Sequence, residues 1–146
     1  VKPMTVFTIG HSNHSFEHFI EMLAQHDITA VGDVRSQPRS RWRPHFNREK
    51  LKPALCERGI AYIFLGDGLG ARSNDLSCYN GTKVSYKSLA ASGQFQADLE
   101  RVIAAAEKYK LALMCAEKEP LECHRTILVA RHLEERGTDI VHIHSD

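Results

Sequence analysis

The feature that most constrains the fold is a regular alternation of short apolar segments with longer amphipathic ones. Five segments rich in aliphatic and β-branched residues are typical of strands; they cover residues 5–9, 30–34, 60–65, 111–116 and 140–143. Four segments with the helical spacing of apolar residues separate them. Strands joined by helices must run parallel, and five strands are too few for a closed eight-stranded barrel. The sequence therefore predicts an α/β fold, an open three-layer α/β/α arrangement with a mostly parallel sheet of about five strands.

Three features modify this simple pattern. Residues 35–47 hold two prolines and several arginines, which predicts a loop. Residues 66–93 form a long stretch that is rich in Gly, Ser and Asn and weakly patterned, as is typical of a lid, a binding loop or a disordered segment. Pro53 lies inside the second predicted helix, at about 48–58, and predicts a late start or a kink there.

Bulk properties place the chain in a broad class. Its 146 residues fit one domain, 1–146, and its net charge of +1 gives no global field toward nucleic acid or membrane. No apolar run reaches membrane-spanning length. The four cysteines show no CxxC spacing, which predicts free thiols and a cytoplasmic protein. The sequence stops at Asp146, directly after a predicted strand, so we expect some C-terminal residues to be missing from it.

Polar side chains follow four of the five predicted strands, at the sheet edge where ligands bind in open parallel sheets. The predicted site residues at this edge are His11, Ser12, Asp33, Arg35, Ser36, Gly70, Cys115, Glu117 and Lys118, joined by Cys123, His124 and Arg125 at the start of the last helix. Convergence of imidazole, carboxylate, thiol and guanidinium groups from independent segments predicts a functional site at this edge.

Cys123 has two interpretations of equal weight. A thiol at a helix N-terminus is favoured as thiolate, which would make it a nucleophile or part of an anion-binding turn. Free cysteines are also commonly structural. Cys115, within an apolar strand, is expected to be mainly a buried hydrophobe. Glu117 is expected to form an ion pair or to act as an acid or base.

The Asp33-Val34-Arg35 sequence places opposite charges on one face of a strand end. The pair either shapes the loop as a salt bridge, or aims Arg35 at a phosphate or carboxylate while Asp33 serves as acid or base. His11 and Ser12 lie in a turn that opens a helix, a favourable place for an anion. Arg41 and Trp42 lie in the arginine-rich loop, whose composition suits a nucleotide or single-stranded nucleic acid, or simply a solvated loop.

The motifs at the predicted sheet edge do not fit three familiar patterns: a dinucleotide fingerprint, a phosphatase loop and a structural zinc site. A dinucleotide fingerprint is not indicated, since Gly10-His11-Ser12 is not GxGxxG. A phosphatase loop needs an arginine six positions after its cysteine, where Leu121 and Val129 stand instead. No zinc-type spacing is present, although His11, Cys115, Cys123 and His124 could converge on a metal from separate loops.

Taken together, these motifs resemble the DUF488 family of uncharacterised bacterial and archaeal proteins. The resemblance rests on Thr8-Ile9-Gly10-His11-Ser12, Asp33-Val34-Arg35-Ser36, Pro38, Ser40-Arg41, Leu69-Gly70, Cys115-Ala116-Glu117-Lys118 and Cys123-His124-Arg125. It implies cytoplasmic proteins with an α/β fold, marks these positions as the site, and supplies no reaction. It also implies a chain that continues past Asp146. Many relatives have a second glycine where this chain has Ala71.

The sequence thus predicts an enzyme, a thiol- or carboxylate-assisted hydrolase or transferase, acting on a phosphorylated or nucleotide-like substrate. The predicted catalytic residues are Cys123, Asp33, Glu117 and His11, and the predicted substrate-binding residues are Ser12, Arg35, Ser36, Arg41, Gly70, Lys118, His124 and Arg125. Two alternatives stay open: a non-catalytic nucleotide- or nucleic-acid-binding module, and a metal-dependent hydrolase. No cofactor is assigned, no membrane is expected as a partner, and oligomeric state is left open.

Overall fold

The computed structural model describes residues 4–12, 14–35, 43–66, 79–80, 83–84, 93–116 and 124–143, with backbone alone for 79–80, 83–84, 94 and 124–127. Within these ranges the elements are β1 (Thr5–Gly10), α1 (Phe16–Gln25), β2 (Ala30–Asp33), a 3-10 turn (Pro44–Phe46), α2 (Arg48–Glu57), β3 (Ala61–Phe64), β4 (Tyr79–Asn80), β5 (Lys83–Val84), α3 (Gly93–Lys108), β6 (Leu111–Cys115), α4 (His124–Glu135) and β7 (Asp139–Ile143).

Five of these strands form one open sheet in the order β3-β2-β6-β1-β7, and every pairing in it is parallel. The central strand, β6, aligns Cys115 with Gly10 of β1 and Met114 with Asp33 of β2. The predicted open, parallel α/β sheet is therefore confirmed. The carboxyl ends of β1, β2 and β6 also lie side by side, as the predicted site requires.

Two helices cover each face of the sheet. On the face that we call the α1/α2 face, apolar residues of α1 and α2 pack on Ile9, Val31 and Met114. On the opposite, α3/α4 face, apolar residues of α3 and α4 pack on Val6 and Leu113. Because βαβ crossovers are right-handed, connections that step one way along the sheet cover one face and those that step back cover the other.

The strand order creates a switch point between β2 and β6. From β2 the chain continues into α2 and to β3 at one outer edge, whereas from β6 it continues into α4 and to β7 at the other. Connections that diverge from neighbouring strands onto opposite faces leave a crevice outside the carboxyl ends, where open α/β sheets bind ligands.

Local chemistry explains the start of α1 and leaves α2 as a continuous helix. The Ser15 side chain accepts the His18 N–H at 3.2 Å and caps α1, as predicted. Helix α2 begins at Arg48 and contains Pro53, so the proline does not delay its start. The predicted apolar stripe of α3 is confirmed, since Phe95, Leu99 and Val102 are fully buried.

Residues 66–93, expected to be a long loop, contain a short antiparallel pairing. Strands β4 and β5, two residues each, pair Tyr79 with Val84 and Asn80 with Lys83. Such short strands carry too few residues for an alternation of apolar and polar side chains to be visible in the sequence. Among the helices the structure describes, none has the length and apolarity to span a bilayer.

Candidate functional site

A buried ion pair lies at the carboxyl end of β2. Arg35 is 2% exposed and Asp33 is fully buried. Arg35 Nε donates to Asp33 Oδ1 and Arg35 Nη2 donates to Oδ2, each at 2.8 Å. The Arg35 backbone N–H also donates to Oδ1, at 3.0 Å. The two predicted site residues therefore form a bidentate salt bridge, the geometry in which arginine and carboxylate interact most strongly.

Tyr62 of β3 completes the environment of Asp33. Its hydroxyl donates to Asp33 Oδ2 at 2.5 Å. Burial, and then the neighbouring charge of Asp33, raises the pKa of Tyr62 above its usual value. A carboxylate offers about four lone-pair sites, and Arg35 with Tyr62 supplies four donors. Asp33 is therefore saturated, which favours an anchoring role over proton transfer to a substrate.

His11, directly after β1, forms the other side of the cluster. Its Nε2 lies 3.2 Å from Arg35 Nη1 and its Nδ1 lies 2.7 Å from the Ser12 carbonyl oxygen. A guanidinium can only donate and a carbonyl can only accept, so the ring is neutral with its proton on Nδ1. Burial, and next the charge of Arg35, lowers the pKa of His11 to about 4. The imidazole is thus held neutral at physiological pH.

The 3-10 turn Pro44–Phe46 closes over this cluster. Arg35 Nη2 donates to the Phe46 carbonyl oxygen at 2.8 Å, and the Phe46 ring stacks on His11 with centroids 4.5 Å apart. Phe46 itself is fully buried. Arg35 therefore ties the end of the arginine-rich loop to its beginning, and the buried Phe46 ring anchors that end beside His11.

The turn after β1 is strained and paired with the chain that follows β6. Ser12 has φ 45°, in the left-handed region that non-glycine residues rarely adopt. The N–H groups of His11 and Ser12 donate to the carbonyl oxygens of Cys115 and Ala116, at 2.9 and 3.2 Å. The hydrogen bonding between β1 and β6 thus continues past the strand ends and fixes the backbone conformation of the turn.

Gly66, at the start of the glycine-rich stretch, touches the same cluster from β3. A Cβ at this position would lie 1.9 Å from the Arg35 carbonyl oxygen. Only glycine therefore allows the chain to pass this close to Arg35. Together with Tyr62, it makes the end of β3 a support for the Asp33–Arg35 pair.

The cluster covers one face of the sheet edge. Strands β2 and β1 are separated by β6, so the Arg35 guanidinium spans the end of β6 to reach His11. Asp33, two residues after Val31, shares its α1/α2 face, whereas Cys115 is fully buried in the apolar cluster of the α3/α4 face. This burial agrees with the expectation that Cys115 is mainly a hydrophobe.

The structure thus brings together His11, Ser12, Asp33 and Arg35. The other predicted residues Ser36, Arg41, Gly70, Glu117, Lys118 and Cys123, together with Trp42, lie outside the described residues. His124 and Arg125 open α4, and only their backbone is described. Their roles stay predictions.

The described part of the cluster does not support the hypothesis of a metal site. The described residues contain no group of three or more His, Cys, Asp or Glu side chains that could hold a metal ion. The acceptor nitrogen of His11 faces the Arg35 guanidinium, and the Asp33 oxygens are engaged by Arg35 and Tyr62. A cation bound by His11 and Asp33 would have to displace Arg35.

Sequence reasoning missed Tyr62 and Gly66 as members of the cluster. One signal for Tyr62 was available: a tyrosine in a predicted buried strand needs a partner for its hydroxyl. The strand order that puts this hydroxyl beside Asp33 was not available, and neither was the contact between Gly66 and Arg35.

Comparison with known protein families gives a match over most of the chain. Residues 15–132 match the family model described as domain of unknown function DUF488. No curated protein matches the chain. No solved structure matches it either. The matched region spans well over half of the 146 residues and includes Asp33, Arg35 and the Cys123-His124-Arg125 motif. The chain therefore belongs to the DUF488 family.

Proposed function

We propose that the protein is an enzyme that binds a phosphorylated or nucleotide-like substrate at the carboxyl edge of its sheet. The observation that supports this proposal is the buried His11–Arg35–Asp33 cluster beside the β2/β6 switch point. Burying an ion pair costs several kcal/mol of hydration for each ion. The attraction between the two ions offsets this cost only where the geometry is good and further hydrogen bonds are formed. Such clusters occur disproportionately at functional sites.

In this proposal the cluster of His11, Asp33 and Arg35 holds the surrounding backbone in place and does not itself contact the substrate. Arg35 and Asp33 neutralise one another, His11 is neutral, and their hydrogen bonds are directed at each other. The substrate contacts are assigned instead to groups around the cluster. We assign the anion to Ser12, Ser36, Arg41, Gly70, Lys118, His124 and Arg125, and acid–base work to Glu117.

Cys123 is the nucleophile in this proposal. Helix α4 begins at His124, and Cys123 is the residue that precedes it in sequence. The partial positive charge of a helix N-terminus and a neighbouring arginine both favour thiolate over thiol. A thiolate with an anion-binding turn beside it suits transfer or hydrolysis through a covalent intermediate on sulfur.

The test is alkylation by iodoacetamide between pH 5 and pH 9, with each cysteine followed by mass spectrometry of its peptide. Cys56 is exposed on α2 and serves as the reference thiol within the same molecule. We expect Cys123 to react about tenfold faster than Cys56 near pH 7, the difference that a thiolate favoured by one pKa unit would give. We also expect inorganic phosphate or a nucleoside monophosphate to slow the reaction of Cys123 alone.

The variant Cys123→Ser shows which alkylated peptide belongs to Cys123, and Cys56→Ser is its matched control. Reaction of Cys123 at the rate of Cys56 at every pH would exclude the nucleophile role. Reaction that is fast but indifferent to phosphate and nucleotide would exclude the substrate class.

A further inference from the structure

Tyr62 is a polar group at the edge of the cluster whose contribution the proposed function does not use. It lies on β3 in register with Val31, and its ring packs against the apolar cluster of the α1/α2 face. Among the described residues, its hydroxyl is the one donor to Asp33 that does not belong to Arg35. Tyr62 therefore bears on Asp33 independently of the arginine.

We propose that Tyr62 is a positioning residue of the site, which acts through Asp33 and Arg35 to hold His11 neutral and in a single tautomer. The proposal rests on the proposed function only in calling this cluster part of a site. The chain of contacts is continuous: the Tyr62 hydroxyl fixes Oδ2 of Asp33, Asp33 fixes the Nε/Nη2 edge of the Arg35 guanidinium, and Arg35 Nη1 meets His11 Nε2.

Competition at Asp33 Oδ2 explains why the hydroxyl matters. This oxygen is shared between Tyr62 and Arg35 Nη2, and the same Nη2 also donates to the Phe46 carbonyl oxygen. Without the hydroxyl, Asp33 has an unsatisfied lone pair, and the guanidinium is drawn toward it to fill the gap. Such a movement takes Arg35 Nη1 away from His11 Nε2. Without this donor, Nε2 is no longer required to be the unprotonated nitrogen of the ring.

The titration of His11 reports on this movement. Among the described residues, the charged or titratable groups that face His11 are Asp33 at the end of β2, Arg35 just after it and His45 on the 3-10 turn. Arg35 and His45 disfavour the imidazolium, whereas Asp33 favours it. Withdrawal of Arg35 from the imidazole therefore raises the affinity of His11 for a proton, and Asp33 continues to favour the imidazolium.

The experiment is nitrogen NMR of labelled histidine in the wild type and in Tyr62→Phe, titrated from pH 8 to pH 4. The variant keeps the ring and removes one hydrogen bond, which is a small part of the stability of a typical domain, so it is expected to fold. We expect His11 of the variant to bind its proton at least about threefold more tightly, and to populate both tautomers near pH 8.

The control variant is Thr8→Val. The Thr8 hydroxyl is fully buried on the α3/α4 face and lies 2.6 Å from His142 Nδ1, so its removal also deletes a buried hydrogen bond. If Tyr62 serves stability alone, the two variants will lose stability and leave His11 unchanged. An unaltered His11 titration and tautomer in Tyr62→Phe would overturn the proposal. Neither readout needs a substrate, so a failure of the thiol alkylation test leaves this result interpretable.

A measurement on the wild type keeps the proposal testable without any variant. Tyrosine labelled at Cζ reports the ionisation of each phenol, and free labelled tyrosine is the reference. We expect the Tyr62 phenol to stay protonated at pH values where free tyrosine ionises, because Asp33 holds its proton. Ionisation of Tyr62 over the same pH range as free tyrosine would mean that Asp33 does not hold this proton, and would overturn the proposal.

Discussion

Two ion pairs of the same chemical type lie in contrasting regions of this molecule. Asp33 and Arg35 are 0% and 2% exposed and meet through two 2.8 Å hydrogen bonds. Glu17 and Arg58, which link α1 to α2, meet at 3.0 Å with side chains 71% and 44% exposed. Solvent screens the second pair and leaves it nearly neutral in free energy, while the first depends on its protein partners for every hydrogen bond.

The two pairs differ in how many of their hydrogen-bond partners the fold must supply. The surface pair needs one contact between two flexible side chains, and water solvates both when the contact opens. The buried pair needs Tyr62, His11, the Phe46 carbonyl and a glycine at position 66. A substitution at any of these residues therefore alters the environment of the buried pair.

The largest effect is expected from Arg35→Ala. It leaves the Asp33 carboxylate buried without its main partner, so we expect a loss of about 3–5 kcal/mol in the free energy of unfolding, measured in urea. Arg58→Ala, the matched change in the exposed pair, should cost less than about 1 kcal/mol, and that small difference should shrink further in salt. Similar losses for the two variants would contradict the contrast drawn between the pairs.

The second effect is a pH dependence that belongs to the buried region alone. The pKa of His11 is lowered from 6.5 to about 4, so the folded state resists a proton that the unfolded chain accepts. Its contribution to stability is complete above pH 6.5 and is lost as the pH falls toward 4. We expect the wild type to lose about 3 kcal/mol more than His11→Gln between pH 7 and pH 4.

The measurement is urea unfolding of both proteins at several values of pH. The difference between them isolates His11 from the other titrating groups, which the two chains share. If the stability of both proteins falls equally with pH, the pKa of His11 does not differ between the folded and the unfolded chain, which contradicts the prediction.

The smallest of the three effects is steric. Gly66→Ala places a methyl group against the Arg35 carbonyl oxygen, 1.9 Å away unless the backbone moves. We expect a loss of about 1–3 kcal/mol from this overpacking, with the urea slope unchanged. Gly93→Ala is the matched control, because no atom lies within 4 Å of its added Cβ. It should be neutral or slightly stabilising; equal losses in both variants would mean that the approach of Gly66 to Arg35 is not tight.

Much of the fold could be predicted from the sequence, because strand and helix periodicities are local. The five predicted strands agree with β1, β2, β3, β6 and β7 to within one residue at each end. The strand order could not be predicted, since it depends on contacts between distant segments. The β4–β5 pairing was missed because two-residue strands leave no pattern.

For the candidate site, the sequence indicated which strand ends to examine but could not give the contacts there. His11, Asp33 and Arg35 were selected as chemically unusual residues, and they do meet. Both a salt bridge and a substrate contact fitted the Asp33–Arg35 spacing, and only geometry shows Arg35 engaged by Asp33, His11 and Phe46. The neutral state of His11 also depends on burial, which a residue's position in the sequence does not reveal.

The strand order has a consequence for how the chain is made. Strand β1 is synthesised first among the described strands, yet its two neighbours are β6 and β7, whose residues follow it by more than a hundred positions. On the ribosome, an apolar strand must therefore wait without its partners until nearly all of the described chain has emerged. Contacts of such long sequence separation slow folding, and the bridge from Arg35 to His11 can close only at the end of that process.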